Sequence, residues 1–548
     1  MSGESSKGSD KMFFIIFSIL VTFSQASVWD NLTASIAVVE YQPVYNNVTS
    51  RDKVIANSVN YMTQMYEIRD KTKIDMIIFP EATLGNNPET AVEIEIGASC
   101  TTTTICVDAQ IHAVPYTALM FQTYVVVNLV EKSKCDESDE SQNCKDYGFH
   151  FYNTDVVFDR SGTIINKYRK YNLFGERELD QPEQPDQVII KTDFGVTFGI
   201  FTCFDILFKS PAQDLLNQGV DAVIFPTMWF SEIPFLTAIQ TQQMWAQTHN
   251  VTLFAAGANN PAVGSGGSGV YRGATGAVIR DVIAEGGTQF FIYESKNGEV
   301  APLPSEDTDS LAKQMDGFYL KRDPSIDDYS SQILNTSATT DFQTELCHGN
   351  ETNESQICCN FTIKMSVVKP ETDLNFYTYH LVAYSGVRSY DGVYNGSIDV
   401  CAVIACLNSS LSSCGERFSK YEEVQWPVTF EEILVKANFE KTDNRTQYPN
   451  SLLSSIRPID ASKTVWNAVN VEDTGTNLIE RSFSIAESQN RLLTFGIYGR
   501  NFDLDPANSN DDDDDDDGKG FATSIMISGY THGIMLSFSF LLVVVTLK

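Results

Sequence analysis

Eleven cysteines occur in the 548-residue chain, and one of them stands apart from the others. Position along the chain suggests the pairs Cys100 with Cys106 and Cys135 with Cys144. Cys347, Cys358, Cys359, Cys401, Cys406 and Cys414 cluster in the last third, with their connectivity open. Cys203 is left over. An unpaired cysteine is a buried small hydrophobe, a partner for another chain or a nucleophile, and its surroundings decide between them. Cys203 ends the apolar run Val196 to Thr202 and is followed by Phe204-Asp205-Ile206-Leu207, where a parallel strand gives way to the next segment. That is where α/β enzymes keep reactive groups. Glu81 closes Ile77-Ile78-Phe79-Pro80-Glu81, and Lys170 lies in Tyr168-Arg169-Lys170-Tyr171-Asn172-Leu173-Phe174, just past the strand and turn Phe158-Asp159-Arg160-Ser161-Gly162. Taken singly, a strand-end glutamate is ordinarily a solvated rim charge and such a lysine a surface residue. Three of them in the order Glu, Lys, Cys, each behind an apolar strand, form a pattern that chance rarely supplies.

The elements that must position these residues follow from hydrophobic periodicity. Candidate strands are Ser35 to Val39, Met76 to Phe79, Tyr124 to Val130, Val156 to Phe158, Val196 to Thr202, Ala222 to Phe225 and Leu253 to Ala256. Between them, Asp52 to Lys71 reads as a helix with Ile55, Val59, Met62 and Tyr66 on one face, and Pro234 to His249 as a second helix begun by proline. Strands alternating with amphipathic helices predict an α/β layer architecture from Leu32 to about Gly298. Glu131 to Asp146 reads as a polar insertion, and Glu299 to Asp328 as a connector. Beyond it, Phe361 to Val368, Tyr377 to Tyr384 and Gly396 to Ala405 are short β-type runs. Turn signals at Tyr390-Asp391-Gly392 and Asn395-Gly396 separate them, which predicts a small, disulfide-stapled, mostly β module without reactive residues.

Composition narrows the function classes. Lys and Arg total 38 against 71 Asp and Glu, a net charge of −33, of which the run Asp511 to Asp517 accounts for seven and leaves −26 elsewhere. Nucleic acid is excluded as an expected partner. His112, His150, His249, His348, His380 and His532 form no HExxH-type pair, so no metal site is expected. Gly264-Ser-Gly-Gly-Ser-Gly269 lacks the lysine of a phosphate loop and reads as a flexible loop near the site.

Both ends of the chain point to the secretory pathway. A polar leader with Lys7 and Lys11, the apolar run Met12 to Phe23 and the small residues Ser24-Gln25-Ala26 form a signal-peptide pattern over 1–26. At the other end the apolar stretch Ile534 to Leu547 falls short of the roughly 20 residues a spanning helix needs. It follows the small residues Ala522-Thr523-Ser524, the layout of a glycosylphosphatidylinositol (GPI) signal attached at Ala522. Gly518 and Asn510 are rival attachment points, and a tail anchor reaching back to Ile525 is the other reading. Sequons at Asn31, Asn47, Asn250, Asn335, Asn350, Asn353, Asn360, Asn395, Asn408 and Asn444 are expected glycosylation sites.

Phe79-Pro80-Glu81-Ala82, Tyr168-Arg169-Lys170 with Asn172-Leu173-Phe174, and Phe201-Thr202-Cys203-Phe204-Asp205 resemble the three catalytic motifs of the nitrilase, or carbon–nitrogen hydrolase, superfamily. The longer string from Gly199 to Phe208, Phe225-Pro226-Thr227-Met228-Trp229, and Ser385-Gly386-Val387-Arg388 through Asp399-Val400-Cys401 resemble its vanin and biotinidase branch. The resemblance implies a nitrilase-type α-β-β-α sandwich over 27–325, a disulfide-rich, mostly β domain over 326–505, an acidic stalk over 506–522 and a removed tail over 523–548. It also implies a cofactor-free, membrane-tethered amidase acting on a small-molecule amide. Pantetheine is the first substrate and biocytin the rival; a non-catalytic surface glycoprotein is the other class. By the same resemblance Glu81 is the general base, Lys170 stabilises the oxyanion and Cys203 attacks the amide. The backbone N–H of Phe204 is a second oxyanion donor and Trp229 walls the pocket. Glu176 or its neighbour Glu178 supports the lysine, while Asp205 fixes the turn after the nucleophile.

Overall fold

The structure, a computed structural model, describes residues 29, 32–44, 49–99, 111, 113–135, 148–297, 299–335, 340–349, 356–369, 374–471 and 477–506. The expected leader, the Asp511 to Asp517 run, Asn510, Gly518, Ala522, Cys100, Cys106, Cys144 and the sequons at Asn31, Asn47, Asn350 and Asn353 lie outside them.

Near-continuous apolar runs make strands that are covered on both faces. Strand β1 (Thr33–Glu40) alternates Ile36 and Val38 on one face with Ala37 and Val39 on the other, all fully buried. It lies in a six-stranded sheet with β2 (Met76–Ile78), β3 (Tyr124–Lys134), β4 (Phe149–Phe158) and β5 (Ile164–Arg169) following it in order. The second sheet contains β6 (Ile189–Lys191), β7 (Thr197–Ile200) and β8 (Ala222–Thr227). After the two-residue strand β9 (Glu232–Ile233), it continues with β10 (Thr252–Gly257), β11 (Ser268–Arg272) and β12 (Ala277–Asp281) in the order β12-β11-β10-β8-β7-β6. β13 (Gln289–Lys296) returns to pair antiparallel with β1. Ile36, Val38 and Met76 share one core with Phe198, Ile200 and Phe254 of the second sheet, so the sheets pack face to face. Ala37, Val39 and Ile77 meet helix α1 (Ser50–Lys71) and helix α2 (Ala113–Phe121) on the outer face. Helix α3 (Ala238–His249) covers the second sheet, its Trp245 ring 5.1 Å from Phe201. The layers are α-β-β-α.

Two helices differ from the sequence reading. On α1 the buried stripe is Val54, Tyr61, Met65 and Ile68, while Ile55, Val59 and Tyr66 are 39%, 46% and 43% exposed. The buried face also carries Asn57 and Ser58, so counting apolar residues favours the wrong stripe. Asn57 belongs inside because its Oδ1 accepts from the Tyr41 hydroxyl and the Val44 N–H, both at 2.9 Å. α3 starts at Ala238 rather than at Pro234, because Thr237 and Gln240 form a capping box that fixes the first turn there. The stretch expected as a bare connector holds helix α4 (Thr308–Gln314) and strand β14 (Lys321–Arg322), which pairs with β9. Glu131 to Lys134 belong to β3; Glu131 is buried and bound by Arg169 at 2.8 Å.

The rest of the chain builds two five-stranded antiparallel sheets. β15 (Ser330–Leu334), β19 (Thr378–Tyr390), β20 (Tyr394–Cys406), β26 (Leu492–Asn501) and β23 (Arg445–Leu453) form one. The other runs β16 (Thr340–His348), β17 (Ile357–Val367), β22 (Val428–Glu440), β25 (Leu478–Ile485) and β24 (Thr464–Val471), and β18 (Asn375–Phe376) pairs with β21 (Val424–Gln425) in a separate two-stranded ladder. The disulfide Cys359–Cys401 joins β17 to β20 across the sheets, Cys347–Cys358 links paired residues of β16 and β17, and Cys406–Cys414 closes a short loop. Cys135 is also disulfide-bonded. Tyr390-Asp391-Gly392 does make the β19–β20 turn, but Asn395-Gly396 lies within β20.

Candidate active site

β7 delivers Cys203 by ending three residues before it, at Ile200, and the chain then turns into a 3-10 helix, Cys203–Leu207. Cys203 has φ +49°, a left-handed conformation that costs a non-glycine residue about 1 kcal/mol or more and persists only when its surroundings enforce it. Asp205 supplies part of that enforcement. One of its oxygens accepts from the Thr202 N–H at 3.1 Å and the Tyr168 hydroxyl at 2.7 Å; the other accepts from the Asn172 N–H and side-chain amide, both at 2.8 Å. Asp205 therefore ties the elbow to the segment that carries Lys170.

Cys203 is the free cysteine among the described residues, and it is 5% exposed. Its thiol donates to the Met228 carbonyl at 3.7 Å, and the Met228 N–H donates to Glu81 Oε2 at 2.8 Å. One residue, just past β8, thus aligns thiol and carboxylate. Glu81 Oε1 accepts from Lys170 Nζ at 2.8 Å, and Lys170 Nζ also donates to Glu176 Oε1 at 2.6 Å. Burial and the adjacent Glu81 carboxylate push the Cys203 thiol well above its ordinary range, against the pull of Lys170. Burial acts to lower the Lys170 ammonium, but the charges of Glu176 and Glu81 hold it well above its usual value. Burial likewise opposes ionisation of Glu176, yet Lys170 keeps its carboxyl below the usual range. The three sequence-selected residues therefore meet in one buried cluster. Glu176 joins it, whereas Glu178 is exposed.

Sequence reading missed the groups that hold these carboxylates. Asn153 Nδ2 donates to Glu81 Oε1 at 2.9 Å and to Glu176 Oε1 at 3.1 Å. Asn128 binds the Ala82 N–H through its oxygen at 2.8 Å, and its amide donates to Asn153 at 2.7 Å and Asp155 at 2.8 Å. Asp155 accepts from the Thr202 hydroxyl at 2.6 Å, and burial pushes its pKa up to about 7. A signal was available: Asn128 interrupts Val125-Val126-Val127 and Leu129-Val130, and Asn153 and Asp155 fall on one face of β4. Polar residues inside an apolar strand need partners.

A cleft opens onto Cys203. Phe174, Phe204, Trp229 and Phe230 line it, and Lys321, Tyr390 and Asp391 stand with them. Trp229 is buried and fixed by a 2.8 Å hydrogen bond from Nε1 to the Leu236 carbonyl. The Phe204 N–H lies ahead of the first bond of its helix, which runs from the Asp205 N–H to the Thr202 carbonyl at 3.1 Å, so it has no acceptor within that helix. The glycine-rich loop lies beside this cleft through a Phe230 to Ser265 bridge, and Glu40 accepts from its Gly267 N–H at 3.1 Å. Each of the two clusters of potential metal ligands among the described residues contains a disulfide. The sequon residues Asn250, Asn335, Asn360, Asn395 and Asn408 are exposed. Asn444 is half-buried, with its amide donating to Asp503 at 2.6 Å and its oxygen accepting from Lys209 at 2.6 Å.

The family profile described as "Carbon-nitrogen hydrolase" matches residues 35–267, and the "Vanin C-terminal domain" matches residues 318–505. "Vanin-like protein 1" of Drosophila melanogaster is 30% identical over 87% of this chain and 88% of its own length. The chain belongs to the vanin branch of the carbon–nitrogen hydrolases. "Pantetheinase" of Homo sapiens is 29% identical over 70% of this chain and 69% of its own, and "Biotinidase" of Takifugu rubripes is 29% identical over 70% and 73%. The vanin-branch chain is accordingly a C–N hydrolase acting on amides, with a nitrilase-type catalytic sandwich and a mostly β vanin domain.

Proposed function

We propose that this chain hydrolyses pantetheine to pantothenate and cysteamine through Glu81, Lys170 and Cys203. One observation carries the mechanism: Met228 binds the Cys203 thiol with its carbonyl and the Glu81 carboxylate with its N–H. The resting thiol is protonated, so attack requires a base within reach, and Glu81 takes the proton as sulfur adds to the amide carbonyl. The resulting oxyanion is stabilised by the Lys170 ammonium and the Phe204 N–H. Glu81 then returns its proton to the departing amine, the C–N bond breaks, and a thioester remains on Cys203. Glu81 next deprotonates a water, which adds to the thioester; the acid leaves and the thiol is restored. Glu176 keeps Lys170 charged, Trp229 walls the acyl site, and no cofactor takes part in these steps.

The same reading places the chain outside the cell. Residues 1–26 direct secretion, and asparagines in an N-x-S/T context, Asn250, Asn335, Asn360, Asn395 and Asn408 among them, carry sugar. Catalysis resides in 27–325 with the β domain in 326–505, and the 506–522 stalk carries a lipid at Ala522. Among the described residues no helix is long and apolar enough to cross a membrane.

The test is amine release by the full chain purified from secreting cells, with pantetheine and biocytin in parallel. Preferential release from pantetheine supports the reading. Preference for biocytin keeps the mechanism and replaces the substrate; release from neither rejects the proposed substrate.

A further inference from the structure

The cleft onto which Cys203 opens is also lined by groups from two distant parts of the chain. Lys321 comes from β14 and Asp391 from the β19–β20 turn of the vanin domain, and the two side chains form an ion pair there. Their positions share one reference. Lys321 pairs with Glu232 in the β9–β14 ladder. Asp391 follows Arg388, whose guanidinium grips the same Glu232 at 2.7 and 2.9 Å and Asp323 at 3.0 Å. Asp391 adopts φ +53° and Gly392 φ +71°, which turns the chain back so that the aspartate stays at the cleft. The Lys321 ammonium lies over the Phe230 ring at 5.2 Å and the Phe174 ring at 5.9 Å, so it cannot swing away without losing two cation–π contacts.

This arrangement is already neutralised. An anion seeking Lys321 meets Asp391 bound to it, and behind them Arg388 offers one positive charge against two carboxylates. In the buried cluster beside Cys203, Lys170 is matched by Glu81 and Glu176. A hydroxyl or amide at the far end of an acyl chain can instead donate to Asp391 and accept from Lys321 without displacing either.

We propose that Lys321 and Asp391 are specificity-determining residues that select amides whose acyl chain ends in a neutral polar group and reject chains ending in an anion. The selection works by like-charge exclusion as much as by attraction. It rests on the amidase reading given above and adds the substrate class.

The test uses the full chain and two aminocoumarin amides whose acyl chains differ only at the far end, a hydroxyl in one and a phosphate monoester in the other. The wild type is expected to favour the hydroxyl amide. Asp391→Asn should raise kcat/KM for the phosphate amide relative to the hydroxyl amide about tenfold, chiefly through KM, whereas Lys321→Met should lower that ratio. An unchanged ratio in both variants, with the hydroxyl amide still hydrolysed, overturns the selectivity proposal and leaves the amidase standing. Loss of both activities in both variants also overturns it, because selectivity residues shift a ratio. Failure of the wild type on both amides removes the amidase reading and this proposal with it.

Discussion

At Cys203 the sulfur is a protonated, buried thiol, so the proposed mechanism depends on a carboxylate that is already aligned rather than on a resting thiolate. Lys170 is fully charged and 1% exposed at its side chain. Lys170→Ala should lower kcat by about 10²-fold or more, since one lost oxyanion contact in a dry site costs that much. It should also leave Glu81 and Glu176 facing each other, and steady-state kinetics with a thermal melt separates the two effects. Asp155 offers a pH experiment. Its pKa is raised to about 7, above the ordinary value of about 4, so the folded state binds the proton more tightly than the unfolded chain. The stability this contributes is complete below about pH 4 and is lost as pH rises through about 7. Asp155→Asn removes that loss, and its Tm relative to wild type should climb between pH 4 and pH 8. A pH-independent difference would show that Asp155 does not titrate in this range.

The elements explain why these residues converge. Strand β4 carries Asn153 and Asp155 on one face, and β3 places Asn128 against both, so neighbouring strands build the support for carboxylates supplied by loops. Asn153→Leu should reduce kcat by roughly 10- to 100-fold with a smaller change in KM, because it loosens Glu81 and Glu176 together without touching the cleft. An equal loss in KM alone would assign Asn153 to binding. Glu81 and Cys203 are legible in sequence because each follows an apolar strand, a local pattern, and Lys170 through its place between them in a Tyr-Arg-Lys run, although β5 before it is half polar. Asn128 and Asn153 are not, since their value depends on which strands become neighbours. The buried face of α1 was hidden for a related reason: Asn57 is core only because Tyr41 and Val44 arrive from the segment just beyond β1. Lys321 and Asp391 are 70 residues apart in sequence and meet only in the folded chain.

Across the whole molecule the two domains share a buried electrostatic joint. Arg388 is 1% exposed and binds Glu232 of the catalytic sandwich and Asp323, near the start of the segment that the vanin profile matches. α3 adds polar contacts to the same interface, from Gln240 to Asn450 at 2.7 Å and from Gln243 to the Ile459 carbonyl at 2.8 Å. Arg388→Met leaves two buried carboxylates without a cation and should cost about 3–5 kcal/mol. Denaturant unfolding should reveal it as a lowered midpoint, and an unchanged midpoint would mean the joint is solvated. The central claim, that Cys203 carries the acyl group, is tested most directly by intact-mass and peptide mass spectrometry of the chain quenched with acid during pantetheine turnover. We expect a pantothenoyl thioester on the peptide containing Cys203, absent from Cys203→Ala, which should release no cysteamine. Sustained cysteamine release by Cys203→Ala, or an acyl adduct located on another residue, would contradict it.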